Sequence, residues 1–471
     1  MISAALPLTL LGCLPAASLL FTRIAGVDGL QTLKTVLAAT ATTAGCLFLM
    51  VLLLSGSGAT IDPVTVALTS LTLFVGWIVL GFASRHMVAD ARLSTFATRV
   101  GLMLSSVLVL VSTDSLWLFA LAWIASGWLL AEVIGHAPDW PEAKAAKRRA
   151  RRAFLVSDLS MVAGLGLIAG LGGAWTFDAL PAAVAGLDWS IKLAGGSLLL
   201  VAALARCAAP PFHKWLMGSM TAPTPVSALM HAGLVNAGGL LLIRVAPLLE
   251  ALPAIKAAMI VAGAAGALFG TGVMIVRPDI KRALGGSTVA QMSFMVMTCG
   301  FGAYGAALWH LVAHGLFKSW LFLSAGSAVG RAPKPRLAPW TSAESIQSIG
   351  LAAAVAIATL GVTAAAGLPL PTMLALVAAF TAAITALRWE GKARPILLAP
   401  AGLLILCYAG GAFLVGRLAG LPVGEPPIGA AAQLTLLGTF LAAWMWQAGR
   451  LPLPAPLYVR LLNTGGPALI R

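Results

Sequence analysis

The sequence predicts an all-α, polytopic membrane protein of about 15 transmembrane helices, within a range of roughly 13–16. Three observations predict it, the first two compositional: 60% of the 471 residues are hydrophobic and only 10% are charged, with a strongly positive mean hydropathy. A water-soluble core cannot hide that much apolar surface, so most of the chain must face lipid. The third observation is periodic: apolar stretches of about 20 residues, the length that crosses a hydrocarbon core, recur from Ile2 to the region of Trp446 with short polar breaks.

The expected spans are 3–22, 32–54, 63–84, 97–113, 115–135, 153–173, 191–209, 224–248, 254–276, 286–303, 306–329, 345–367, 371–387, 395–419 and 428–447. The first has no basic n-region and is followed directly by further spans, so it reads as a helix and not as a cleaved signal. The division expected is 1–96 for N-terminal helices, 97–330 for a functional core, and 331–471 for C-terminal helices with a short tail.

Loop charge tests this layout. Loops after spans one, three, five, seven, nine, eleven and thirteen carry Arg23 and Lys34, Arg85 and Arg92, the run Lys144 to Arg152, His213 and Lys214, Arg277 to Arg282, Arg331 to Arg336, and Arg388 to Arg394. Loops after spans two, four and six hold no Lys or Arg. By the positive-inside rule the N-terminus lies outside and the C-terminal tail inside, in a bacterial inner membrane. The 30 Lys and Arg against 15 Asp and Glu therefore read as topogenic charge and membrane-lipid contact, with no nucleic acid as partner. The five cysteines have no CxxC spacing, so neither a metal centre nor a disulfide framework is expected.

Ionisable side chains at bilayer depth are costly and usually mark an ion or proton path. His310, His314 and Lys318 recur at i, i+4 and i+8 within WHLVAHGLFKSWLFLSAGS, on one helix face. Imidazole titrates near neutrality, and a desolvated lysine gives up its proton more readily, so such a stripe can pass protons. The bland reading, hydrogen-bonding histidines and a snorkelling lysine, accounts less well for three aligned groups. His231 lies in SALMHAGLVNAGG with Asn236 five residues on. Just before it, Arg206 precedes Pro210, Pro211, Pro223 and Pro225, which predicts a broken helix near residues 206–225, the alternative being an ordinary loop between spans. Glu132 is either a relay acid or a headgroup-zone residue. Asp158, at the start of a span, either pairs with the basic run or opens an inward route. Lys281 in RPDIKRALGG is a further relay candidate.

The blocks PPFHKWLMGSMTAPTPVSALMHAG, RPDIKRALGGSTVAQMSFM and HLVAHGLFKSWLFLSAGS resemble the central motifs of the proton-translocating antiporter-like superfamily. That superfamily includes subunit L of NADH:quinone oxidoreductase and the large A subunit of Mrp antiporters. Within it, GSMTAPTPVSALMHAGLVNAGG and PLYVRLLNTG look most like the DabB-type membrane subunits of inorganic carbon pumps.

The resemblance implies a DabA-like large partner on the cytoplasmic face, holding a zinc site and hydrating CO2 to bicarbonate as protons flow through the membrane subunit. The chain itself would hold no cofactor and would be a transport subunit, not an enzyme. His231, His310, His314 and Lys318 match the family's central histidines and lysine. Arg206 stands where the family has a lysine on the broken helix, and an arginine, charged at any physiological pH, serves better as a fixed charge than as a proton carrier. Ile124 in WIASGW replaces the family's glutamate. An Mrp-type antiporter subunit and a respiratory subunit are the alternatives the same resemblance leaves open.

Overall fold

A computed structural model describes residues 5–54, 62–328, 398–422, 424, 426–447 and 454–464, with isolated positions between 350 and 365. Helices make up the described chain, and no strand is present among the described residues; one isolated bridge joins Ser115 and Thr176. The expected spans 345–367 and 371–387 fall largely or wholly outside the described residues, as do the runs Arg331 to Arg336 and Arg388 to Arg394.

The first compact unit is formed by residues 1–252 and 311–326. It contains α1 (Ala5–Gly12), α2 (Leu14–Ile24), α3 (Gly29–Leu54), α4 (Pro63–His86), α5 (Leu93–Ser112), α6 (Leu116–Ile134), α7 (Pro141–Gly172), α8 (Leu180–Gly186) and α9 (Trp189–Arg206). There follow α10 (Lys214–Met217), α11 (Thr224–Ala232), α12 (Ala237–Arg244), α13 (Ala246–Glu250) and most of α16 (Tyr304–Ser324). The second unit, residues 253–310 and 327–464, contains α14 (Pro253–Val276), α15 (Ile280–Gly300), α17 (Leu398–Leu418), α18 (Ala430–Gln447) and α19 (Ala455–Asn463).

Among the described residues, eight helical stretches are long and apolar enough to cross a membrane by length and composition: α3 to α7, α9, the α11–α12 stretch and α14. Helices α15 and α16, at 21 residues each, match that length at about 31 Å. They carry enough Ser, Thr, Gln, His and Lys to lower their mean hydropathy. The expected first span is two pieces, α1 and α2, because Pro15 opens a new helix after Cys13.

Large apolar side chains point outward from the helices, among them Phe48, Trp77, Leu121, Leu155 and Leu159, each at least half exposed. Trp117 stacks on Trp175 at 4.9 Å at one end of the first unit, while Trp128 and Trp140 lie towards the other. Aromatic rings at both ends of an apolar band suit the two membrane interfaces.

Helix α7 begins at Pro141, twelve residues before the expected span. At 32 residues it is about 48 Å long, so the basic run Lys144 to Arg152 is a helical extension of the span, not a loop. The charge of the run hid the helix, whose other face buries Ala143, Ala146 and Ala150.

Small residues let helix backbones approach. Gly164 of α7 and Gly195 of α9 face each other, with Leu199 and Ile168 filling the sides. In the second unit Gly263 and Gly270 of α14 pack against the backbone of α15 around Ser293 and Gly286, and Gly300 meets Lys256 and Ile260. The spacing of seven in both helices keeps these residues on one face. Helix α19 closes this unit: Leu461 covers Gly272, and the Arg277 guanidinium donates to the Thr464 carbonyl.

Candidate functional site

The broken helix is present. Helix α9 stops at Arg206, a cis bond joins Pro210 to Pro211, and short turns lead to α11 at Thr224. A second break lies inside the expected span 224–248: Gly233 ends α11, a single tight turn covers Leu234–Asn236, and α12 resumes at Ala237. Irregular backbone at this depth must be enclosed by protein, and it is: Leu234, Val235 and Asn236 are all buried. Asn236 Nδ2 donates to the Ala232 carbonyl at 2.9 Å and to the Leu311 carbonyl at 3.4 Å, bridging the break to α16.

Around this break three of the sequence-predicted residues come together. His231 is fully buried, and its ring stacks on Phe322 of α16 at 4.2 Å. Lys318 is 1% exposed and lies close enough to act electrostatically on His231. His314, 6% exposed, is one turn before it on the same helix. Helix α16 approaches α11 closely because Gly315 sits against the Ala232 carbonyl, where a Cβ would be 2.6 Å away. His310, one further turn along, lies beside Phe294 of α15 at 5.9 Å in the second unit.

Arg206 is 1% exposed and held between rings: its guanidinium lies 4.7 Å from the Trp123 ring centroid and 5.0 Å from that of Phe154. Nη2 donates to the Trp123 carbonyl at 2.6 Å and to Ser126 Oγ at 2.7 Å. Asp158 faces Trp123 and acts electrostatically on Arg206.

Glu132 is 6% exposed at the far end of α6, and three cations converge on its carboxylate: Lys147 at 2.7 Å, Arg151, and Arg99 at 3.3 Å. Beside it Arg92 pairs with Asp139 at 2.6 Å and His136 with Asp90 at 2.9 Å. Burial alone raises the Asp90 carboxyl, but the Arg92 backbone N–H and the His136 ring outweigh it and hold the group below its ordinary value. Arg149 lies against Gly218, tying the basic extension of α7 to the broken segment. Lys281 sits in the first turn of α15 in the second unit, between Asp279 and Arg282, which pair at 3.8 Å.

Sequence reasoning missed a cluster at the opposite end of the first unit. Arg244 at the end of α12 pairs with Asp62 at 2.9 Å and donates to Thr65 Oγ1 at 2.8 Å and to the Val111 carbonyl at 3.1 Å. Asp62 also caps α4 by accepting the Val64 and Thr65 N–H groups. Asp114 accepts the Asp178 N–H, and burial together with the Asp178 charge pushes its carboxyl up. The Asp62–Pro63 pair was a visible cap signal; nothing in sequence joined it to Arg244. The residues enclosing Arg206 were equally silent, although Trp123, Ser126 and Gly127 all lie in the WIASGW segment.

The NADH:quinone oxidoreductase/Mrp antiporter transmembrane family matches residues 113–405, well over half of the chain. The chain belongs to that family. Its relatives bear out the DabB-type resemblance: the probable inorganic carbon transporter subunit DabB2 of Halothiobacillus neapolitanus is 30% identical over 83% of this chain and 74% of its own length. The corresponding DabB of Bacillus subtilis is 36% identical over 60% of this chain and 58% of its own. NADH-quinone oxidoreductase subunit L of Mycobacterium tuberculosis is 33% identical over 58% of this chain and 43% of its own. The chain thus spans about half the length of the first curated relatives it matches. Among solved structures, the Mrp complex from Dietzia sp. superposes with a TM-score of 0.59 over 97% of this chain and 54% of the other, at 24% identity, a likeness of fold.

Proposed function

We propose that the chain is the proton-conducting membrane subunit of an energy-coupled inorganic carbon uptake complex. The observation that carries this reading is the coincidence of DabB-type relatives with a buried titratable row, His231, His314 and Lys318, gathered around a doubly broken helix. A lysine and two imidazoles at bilayer depth are costly unless used, and broken backbone of this kind lines ion paths.

On this reading protons reach His310, His314 and Lys318 from outside, pass His231, and leave on the cytoplasmic side, with Arg206 as a fixed charge beside the route. The partner would be a large DabA-like subunit that holds the zinc and hydrates CO2 to bicarbonate. On this reading the zinc chemistry belongs to the partner, and this chain acts as a transport subunit. Two charge clusters support the orientation. The Glu132–Lys147–Arg151 end, with Arg92 and Arg149, is basic and would be cytoplasmic in a bacterial inner membrane; the Asp62–Asp114–Asp178 end, with Arg244, would face out. The partner would dock on the basic end.

The subunit L relatives support a second reading, an antiporter-like subunit of a quinone-linked or Mrp-type complex. The test is growth of a carbonic-anhydrase-deficient bacterium at ambient CO2, expressing this chain with its neighbouring large subunit. Rescue abolished by an uncoupler supports carbon uptake. An assembled pair that does not rescue, yet exchanges sodium for protons in vesicles, favours the second reading.

A further inference from the structure

Arg206 poses an electrostatic problem that its hydrogen bonds do not solve. Both of its good acceptors, the Trp123 carbonyl and Ser126 Oγ, are neutral, and both serve Nη2 alone. Nε and Nη1 are buried and have no hydrogen-bond partner. No carboxylate stands within salt-bridge distance of the guanidinium among the described residues. The two aromatic faces offset only part of the cost of a cation at this depth.

The carboxylate that does act on Arg206 is Asp158. It lies four residues after Phe154 on α7, so the same helix face presents a ring to the guanidinium and a carboxylate one turn further on. Its Oδ1 is buried and without a hydrogen-bond partner, and it faces the Trp123 side chain that also covers Arg206. Glu132 does not take this role, because its carboxylate is committed to Lys147, Arg151 and Arg99. Ile124, the apolar residue next to Trp123, is 39% exposed and brings no charge.

We propose that Asp158 is the counter-charge of Arg206, a positioning residue that holds the guanidinium between Trp123 and Phe154 and sets the local potential of the pathway from α7. This rests on the proton-conducting reading for its role in transport, but the pairing itself is a claim about stability that stands apart from it.

The experiment compares wild type, Asp158→Asn, Asp158→Glu, Arg206→Gln and the double variant Asp158→Asn/Arg206→Gln, each purified with its neighbouring large subunit. Two readouts are taken: thermal melting of the complex, and uncoupler-sensitive proton uptake in liposomes. Asp158→Asn is expected to lower the melting temperature and cut uptake about tenfold, because it leaves a buried cation uncompensated. Asp158→Glu should keep uptake within about threefold of wild type, since it restores the charge. The double variant should melt above Asp158→Asn, since it removes that uncompensated cation. The proposal is overturned if Asp158→Asn conducts like wild type, or if the two single losses simply add in the double variant. If Asp158→Asn fails to assemble, assembly of the double variant supports the pairing and its failure contradicts it. A wild-type complex that conducts no protons would sink the proposed function, while the melting comparison would still decide the pairing.

Discussion

Gly127 has no side chain, and the Nη1 atom of Arg206 fills the place where one would be: a Cβ at that glycine would overlap the guanidinium. Because Trp123 and Phe154 fix the ring-stacked group on both faces, it cannot slide aside cheaply. Gly127→Ala is expected to dislodge Arg206 from the Trp123 carbonyl and Ser126 without altering any charge. Proton uptake by the reconstituted complex should fall about tenfold, with the complex still assembled. Uptake equal to wild type would show that the placement of Arg206 does not matter.

Glu132 joins three cations from α5 and α7 at the basic end. Glu132→Gln should destabilise the complex by about 1–3 kcal/mol, less than a fully buried pair would lose because Lys147, Arg99 and Arg151 are partly solvated. Thermal melting in detergent measures it. A melting temperature that does not move, together with lost proton uptake, would instead make Glu132 a relay acid.

Gly270 of α14 sits directly against the Ala290 backbone of α15. Gly270→Val should cost about 1–3 kcal/mol by forcing the two helices apart, and membrane yield should drop accordingly. Gly186→Ala, where a Cβ meets nothing within 4 Å, is the matched control and should leave yield unchanged. Equal yields for both variants would mean that the α14–α15 contact is not tight.

Orientation can be read from single cysteines placed at Asp178 and at Arg148. An impermeant maleimide added to intact cells should label the first and not the second. The reverse pattern would invert the assigned topology and move the partner to the other face.

Much of this was legible from sequence, and the rest was not for identifiable reasons. The row on α16 and the prolines that break α9 from α11 are local patterns, and local geometry placed them where expected. The break at Gly233 was masked because Leu234 and Val235 continue an apolar run whose composition does not distinguish helix from tight turn. The basic run hid the first three turns of α7, since the charges on one face outweighed the buried alanines on the other. The surroundings of Arg206 and the Arg244–Asp62 pair depend on residues some 80 and 180 positions apart in the chain, a separation at which spacing carries no information. The expected C-terminal spans 345–367 and 371–387 fall largely or wholly outside the described residues.

The central claim is that protons cross through the buried row. The direct measurement is uncoupler-sensitive proton uptake into liposomes containing the assembled complex, comparing wild type with Lys318→Ala and His314→Ala. The account predicts uptake by wild type and a loss of about tenfold or more in both variants at equal protein incorporation. Uptake that survives both substitutions undiminished would contradict it.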